Sequence, residues 1–252
     1  MSHIPRHDDI LRIISHVRSV SVRELTQRLK VSEVTIRKDL TLLEEMGSIV
    51  RTRGGARLAE DLAQVHGIQV RKEERLAEKQ RVAERARALV NEDDTIYLDS
   101  GSTCTLLARL LCSMNLRIVT NSLDVMNAVA DAPGISLISI GGSYRKEAGS
   151  FIGPIAMEIL KGLHIETCFI GTTGLSATGV FSSQNVIEAD LKARVLGISR
   201  RRIVLADASK FGKDAFAVFA RPREVDIIVT DAMAGGMESL AELGIEVIVA
   251  GA

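Results

Sequence analysis

The 252-residue chain contains no tryptophan, and aromatic residues make up 3% of it. Single strands and RNA loops are held largely by stacking bases on aromatic rings, so that mode of binding is disfavoured. The three cysteines, Cys104, Cys112 and Cys168, form no CxxC pair and no metal-ligand set, so reduced buried thiols are expected. No apolar run approaches the ~20 residues of a membrane span. The first residues lack a signal-peptide core, which points to the cytoplasm. The glycine-rich patterns GxGxxG and GxxxxGK(S/T) are absent, so dinucleotides and nucleoside triphosphates are disfavoured. No metal and no cofactor are expected. Net charge is zero overall but unevenly spread: residues 1–58 hold 11 Lys/Arg and 7 Asp/Glu, and the remainder 21 and 25. A basic module ahead of a mildly acidic body suits a DNA-binding head on a sensing body.

Ser32–Leu43 reads as a helix. Ser32 is a good N-cap, and Ile36, Leu40 and Leu43 fall at i, i+4, i+7 on one face. The opposite face carries Val34, Lys38 and Thr41, flanked by Thr35 and Arg37. Two cations and small hydrogen-bonding groups near a helix start suit a DNA major groove. Upstream, Ser21-Val22-Arg23-Glu24 fits a capping box opening a helix with Val22, Leu25 and Leu29 inward. Lys30-Val31-Ser32 then makes the short turn of a helix-turn-helix. Residues 6–17 supply a bracing helix through Ile10, Leu11, Ile14 and Val17, and Gly47 ends the second helix. Ile49–Thr52, a turn at Arg53-Gly54-Gly55 and a return through Ala56–Leu58 predict a wing, with Arg51, Arg53 and Arg57 near a phosphate backbone or minor groove.

Three regions follow: a DNA-binding domain over 1–58, a linker over 59–75 and an α/β domain over 76–252. The mixed charges of 71–79 read as a solvated helix face, with Leu76, Ala83, Ala86 and Val90 packing it on the next domain. From residue 94, short β-branched runs alternate with helices, which implies a mainly parallel sheet covered on both faces. Ligands of such sheets bind beyond the carboxyl ends of the strands. Four of those ends are rich in hydroxyls and glycine: Asp99-Ser100-Gly101-Ser102-Thr103, Thr120-Asn121-Ser122, Gly141-Gly142-Ser143 and Gly171-Thr172-Thr173-Gly174. Free N–H groups at helix starts beside hydroxyls suit a phosphate, so a phosphorylated or polyol ligand is expected. Arg145 and Lys210 are candidate partners for phosphate or a sugar oxygen. Asp99 or Glu188 would bond sugar hydroxyls, although Glu188 and Asp190 also suit dipole compensation at a helix start. A carboxylate and a lysine facing a sugar also describe an isomerase, the rival reading.

The residues Arg6, Ile10, Ile14, Ser32, Thr35, Ile36, Arg37, Lys38, Asp39 and Leu40 stand at the spacing of the DeoR-family helix-turn-helix signature, and the Arg-Gly-Gly-Ala wing at 53–56 fits it. The body resembles the family's sensor domain through 98–103, 120–122, 141–142 and Asp207–Gly212. The resemblance covers essentially the whole chain and is nearest to regulators of amino-sugar and sugar-alcohol use. It implies a winged helix-turn-helix repressor of a bacterial carbohydrate operon, bound to double-stranded operator DNA and released by a phosphorylated sugar or sugar alcohol. It also implies a Rossmann-like sensor similar in fold to ribose-5-phosphate isomerase and glucosamine-phosphate deaminase. Those enzymes use an acidic pair in a sugar loop. Residues 171–190 offer only Glu188 and Asp190, both in the expected helix, which counts against catalysis. A homodimer or homotetramer is expected, since paired half-sites need paired heads.

Overall fold

The computed structural model describes residues 6–7, 9–10, 13–14, 19–45, 49–52, 54–58 and 68–251. The chain divides into two compact units, 1–66 and 67–252.

In the first unit, strand β1 (Ser19–Ser21) leads into helix α1 (Val22–Leu29), and α2 (Glu33–Glu45) follows a two-residue turn from Lys30, which is left-handed at φ 55°. Strands β2 (Ile49–Thr52) and β3 (Gly55–Leu58) form an antiparallel hairpin, and β1 adds to the far side of β3. This is the expected helix-turn-helix with its wing, plus one short strand that the sequence did not announce. The core is Ile10, Ile14, Val20, Val22, Leu25, Ile36, Leu40, Leu43, Ile49 and Ala56. Leu11, Val17 and Gly47 lie outside the described residues. Half of the capping box forms. Ser21 Oγ accepts from Glu24 N at 3.1 Å, but the Glu24 carboxylate accepts from Arg28 at 2.8 Å instead of reaching back. Asp39 is the buried polar anchor of this unit: Arg6 donates to it twice, at 2.6 and 2.9 Å, and His7 Nε2 lies at 3.2 Å. Burial alone would raise this carboxyl, but the Arg6 and His7 contacts outweigh it and hold it below its usual value.

The second unit opens with α3 (Ile68–Glu73) and α4 (Leu76–Arg87). It then builds seven parallel strands: β4 (Thr95–Leu98), β5 (Leu116–Thr120), β6 (Ile135–Ser139), β9 (Ile165–Gly171), β12 (Ser199–Leu205), β14 (Ile227–Thr230) and β15 (Glu246–Val249). Their order is β15-β14-β12-β9-β4-β5-β6. The chain therefore runs outward from β4 to one edge, returns, and runs from β9 to the other, as in doubly wound folds. Strand side chains alternate between two cores. Tyr97, Val119, Cys168, Ile170, Val204 and Ile228 face α7 (Pro154–Leu160) and α8 (Val186–Gly197). Ile96, Leu98, Ile118, Phe169, Ile203 and Val229 face α4, α5 (Ser102–Leu110) and α6 (Leu123–Val129). Pro154 takes the first turn of α7, where its missing N–H costs nothing.

Two small antiparallel additions interrupt the alternation: the hairpin β7 (Ser143–Arg145) and β8 (Ser150–Ile152), and the sheet β10 (Gly174–Leu175), β11 (Phe181–Ser183) and β13 (Ala217–Ala220). A last helix, α9 (Ser239–Glu242), precedes β15. Cys104 and Cys168 are buried; burial pushes both thiols up, Cys168 to about 12. Cys112 is half-buried, with Sγ donating to the Ala108 and Ala128 carbonyls at 3.5 and 3.3 Å.

Candidate functional site

The outer face of α2 is built as expected. Ser32 Oγ accepts from Thr35 N at 3.2 Å and contacts Thr35 Oγ1 at 2.9 Å, so the helix start is fixed by its own side chains. With Ile36, Asp39 and Leu40 turned inward, Val34 stands 65% exposed beside exposed Arg37 and Lys38. Arg37 makes only a solvent-facing pair with Glu33 at 3.3 Å. An exposed valine and two cations thus share one face, with no partner in the unit's core. Arg51 is tied to this helix: its N–H donates to Glu44 at 3.1 Å and its guanidinium to Thr41 Oγ1 at 3.3 Å. Arg53 lies outside the described residues, and of Arg57 only the backbone is described.

In the second unit a pocket opens at the switch point, where β4 and β9 are neighbours but their following chains diverge. Nine expected residues line it: Ser100, Gly101, Ser102, Thr103, Gly171, Thr172, Thr173, Glu188 and Lys210. The first turn of α5 faces in through Gly101–Cys104, bringing backbone N–H groups with no partner inside the helix. Lys210 ends a 3₁₀ turn capped by Asp207, whose carboxylate accepts from Ser209 N at 3.1 Å.

Seven expected residues do not line this pocket, each for a visible reason. Asp99 is 1% exposed; its carboxylate is ion-paired with Lys192 and accepts from Gly171 N at 2.9 Å. Thr120, Asn121 and Ser122 are buried structural groups. Thr120 Oγ1 donates to Leu98 O at 2.6 Å, Asn121 Oδ1 accepts from Tyr97 at 2.9 Å, and Ser122 Oγ caps Val125 N at 3.2 Å. Gly141 and Gly142 make a turn at φ 58° and 111°, and a Cβ on Gly142 would meet Ile152 O at 2.5 Å. Arg145 is engaged by Glu188 at 2.5 Å, which Ser183 Oγ also contacts at 3.2 Å. Asp190, offered by the sequence only for dipole compensation, is exposed on α8.

Three cations were missed. Lys192, 6% exposed on α8, joins Asp99 to Gly171 O (2.8 Å) and lies 5.5 Å from the Phe219 ring centroid. Arg71 and Lys79 line the pocket from α3 and α4, which corrects the solvated reading of 71–79. Lys79 is 6% exposed, whereas Leu76, expected to pack inward, is 43% exposed. Burial lowers the pKa of both Arg71 and Lys79, and Lys210 adds to the effect on Lys79. No period in the sequence marks these residues, because a cation turned into a pocket occupies one position of an otherwise polar face. Among the described residues no group of His, Cys, Asp and Glu could hold a metal ion.

The DeoR-like helix-turn-helix domain matches residues 6–61, and the DeoR C-terminal sensor domain matches residues 74–232. The chain belongs to the DeoR family of transcriptional regulators. Relatives of this DeoR chain include the L-fucose operon activator of Escherichia coli K12, 32% identical and covering 90% of this chain and 94% of its own. The lactose phosphotransferase system repressor of Streptococcus mutans is 32% identical, with 90% and 91% covered. The transcriptional repressor GlcR of Bacillus subtilis is 29% identical, with 88% and 86% covered. Ribose 5-phosphate isomerase A of Methanocaldococcus jannaschii is similar at TM-score 0.40 and 19% identity over 53% of each chain. A likeness at that level carries no chemistry across. This DeoR chain is thus a DNA-binding regulator and not an enzyme. No helix of the described residues is long and apolar enough to cross a membrane.

Proposed function

We propose that this regulator represses a carbohydrate-utilisation operon and is released by a phosphorylated sugar or sugar alcohol, with the head in the first unit and the sensor in the second. The observation that carries the reading is the pocket at the switch point. It joins hydroxyls and N–H groups of 100–103 to a wall of four cations, Arg71, Lys79, Lys192 and Lys210, against two carboxylates, Glu188 and Asp207. A phosphate is the group that matches hydroxyls, helix-start donors and excess positive charge together. Thr172, Thr173 and Glu188 line the same pocket and suit sugar hydroxyls. On the head, Ser32, Val34, Thr35, Arg37, Lys38, Arg51 and Arg53 form the operator surface. The protein works in the cytoplasm on the nucleoid, as a homodimer or homotetramer.

A ligand moves a repressor off DNA only through differential affinity for two states. Couplings of ~1–3 kcal/mol weaken operator binding about 5–150-fold. The test is operator affinity with and without each member of a phosphosugar panel, in wild type and Lys210→Ala. Losing a charge-assisted contact should raise the required ligand concentration about 10–150-fold and leave ligand-free DNA binding intact. If no phosphorylated sugar or polyol changes operator affinity in the wild type, the reading is wrong.

A further inference from the structure

Part of the pocket's cationic wall does not come from the strand ends. Arg71 and Lys79 reach it from the two helices that open the second unit, only a few residues past the boundary at 66/67. Lys79 Nζ donates to the carbonyls of both Arg71 and Glu74, the latter at 2.6 Å. One ammonium thereby clasps the turn between α3 and α4 from inside. That turn contains Arg75 at φ 51°, a left-handed conformation that is strained for a residue with a Cβ. No side chain caps α4 there. Arg71 Nε is buried and has no hydrogen-bond partner. A buried unsatisfied donor, and an ammonium crowded by Lys210, are both satisfied by one multivalent anion.

We propose that Arg71 and Lys79 bind the phosphate of the effector, and that the phosphate draws Lys79 away from the Arg71 and Glu74 carbonyls and so releases the α3–α4 turn. The proposal rests on the effector reading above and adds its moving part. The remaining contacts of α3 are anchored elsewhere: Ile68 N donates to Glu147 O at 2.9 Å, and Lys72 pairs with Asp124 at 2.8 Å. A freed turn therefore leaves α3 attached while the 71–79 backbone changes. Occupancy of the pocket becomes a conformational change in the first helices after the DNA-binding unit, without any rearrangement of the parallel sheet.

The experiment uses the full chain, with inorganic phosphate and ribose 5-phosphate as probes. It combines titration calorimetry with amide hydrogen exchange over 71–79, where the Lys79 N–H bonded to Arg75 O (3.1 Å) is a direct reporter. Arg71→Gln breaks no side-chain hydrogen bond, so it should fold normally and bind the probes about tenfold or more weakly. Exchange over 71–79 should rise when the wild type is saturated. Lys79→Gln should exchange fast there without any probe and gain nothing on adding one. Wild-type affinity in Arg71→Gln, or unchanged exchange over 71–79 at saturation, overturns the proposal. Either result leaves the effector reading standing, provided the 100–103 amides still respond and Lys210→Ala still weakens binding. Absence of binding by both probes in the wild type overturns the phosphate assignment itself.

Discussion

The two units present cations in opposite ways. On α2, Arg37 and Lys38 stand in solvent on a surface whose shape is set by the buried face behind them. Around the pocket, Lys79 and Lys192 are each 6% exposed and face carbonyls, carboxylates and hydroxyls. Exposed cations are screened by salt, and they suit a long polyanion whose counterions are released on contact. Sunken cations are screened far less, and they suit a single anion that fits between them. The proposed function therefore asks two anion-binding designs of one chain, one for a polymer and one for a small molecule.

The largest effect should come from breaking the sunken design. Lys192→Met leaves Asp99 buried and uncompensated, which costs about 3–5 kcal/mol. Loss of amide protection in β4 and β9 would measure it. Asp99→Leu with Lys192→Met should recover most of that stability, because neither charge is then left buried alone. If the single variant is as stable as wild type, the pair is not what closes the switch point.

A smaller loss is expected from Asp39, the one buried carboxylate among the described residues of the head. Asp39→Ala removes charge-assisted contacts with Arg6, worth about 1.5–3 kcal/mol, and should loosen α2 while leaving exchange in the sheet of the second unit unchanged. Coupled loosening of both units would break the comparison.

The exposed design should respond more weakly still, and through salt. Arg37→Ala should flatten the slope of log affinity against log salt by about 0.9, similarly for specific and nonspecific DNA. Lys38→Ala should relax preference at one base pair where the side chain reaches a base edge. An Arg37→Ala/Lys38→Ala variant with wild-type affinity and slope would remove α2 from the DNA interface.

The slightest effect is on pH. Asp39 has a depressed native pKa, so its contribution is fully present above its ordinary value near ~3.9 and fades as pH falls through the lower native value. Asp226, held low first by its hydrogen bond from Arg202, gives the second unit the same dependence. Acid unfolding followed region by region should lose the Asp39 share selectively in Asp39→Asn.

Periodic features were readable in the residue order. The α2 stripe, the Ser32 cap, the alternation of strands and helices and the Pro154 start all have local causes, and all appear. Strand β1 escaped notice because Ser19–Ser21 is too short for any alternation and exists by pairing with β3. The strand-end loops were legible as a class but not individually. Those after β4 and β9 border the switch point, whereas 120–122 serve Tyr97, Leu98 and the start of α6. Which strand ends face a ligand depends on strand order, and nothing local encodes that. The same holds for Lys192, Arg71 and Lys79, whose burial follows from helices meeting the sheet rather than from any nearby residue.

The three thiols differ in what a reagent can find. At pH 8 a group titrating near about 12 is ionised to on the order of 10⁻⁴, so Cys168 offers almost no thiolate, and Cys104 is shifted the same way. Cys112 alone of the three is half-open, at the point where the end of α5 meets α6. A maleimide dye or spin label should therefore attach at one position of the unmodified chain. That single reporter, fixed to the sheet's helical cover, gives a stationary reference from which distances to a second label on the α3–α4 turn can be read.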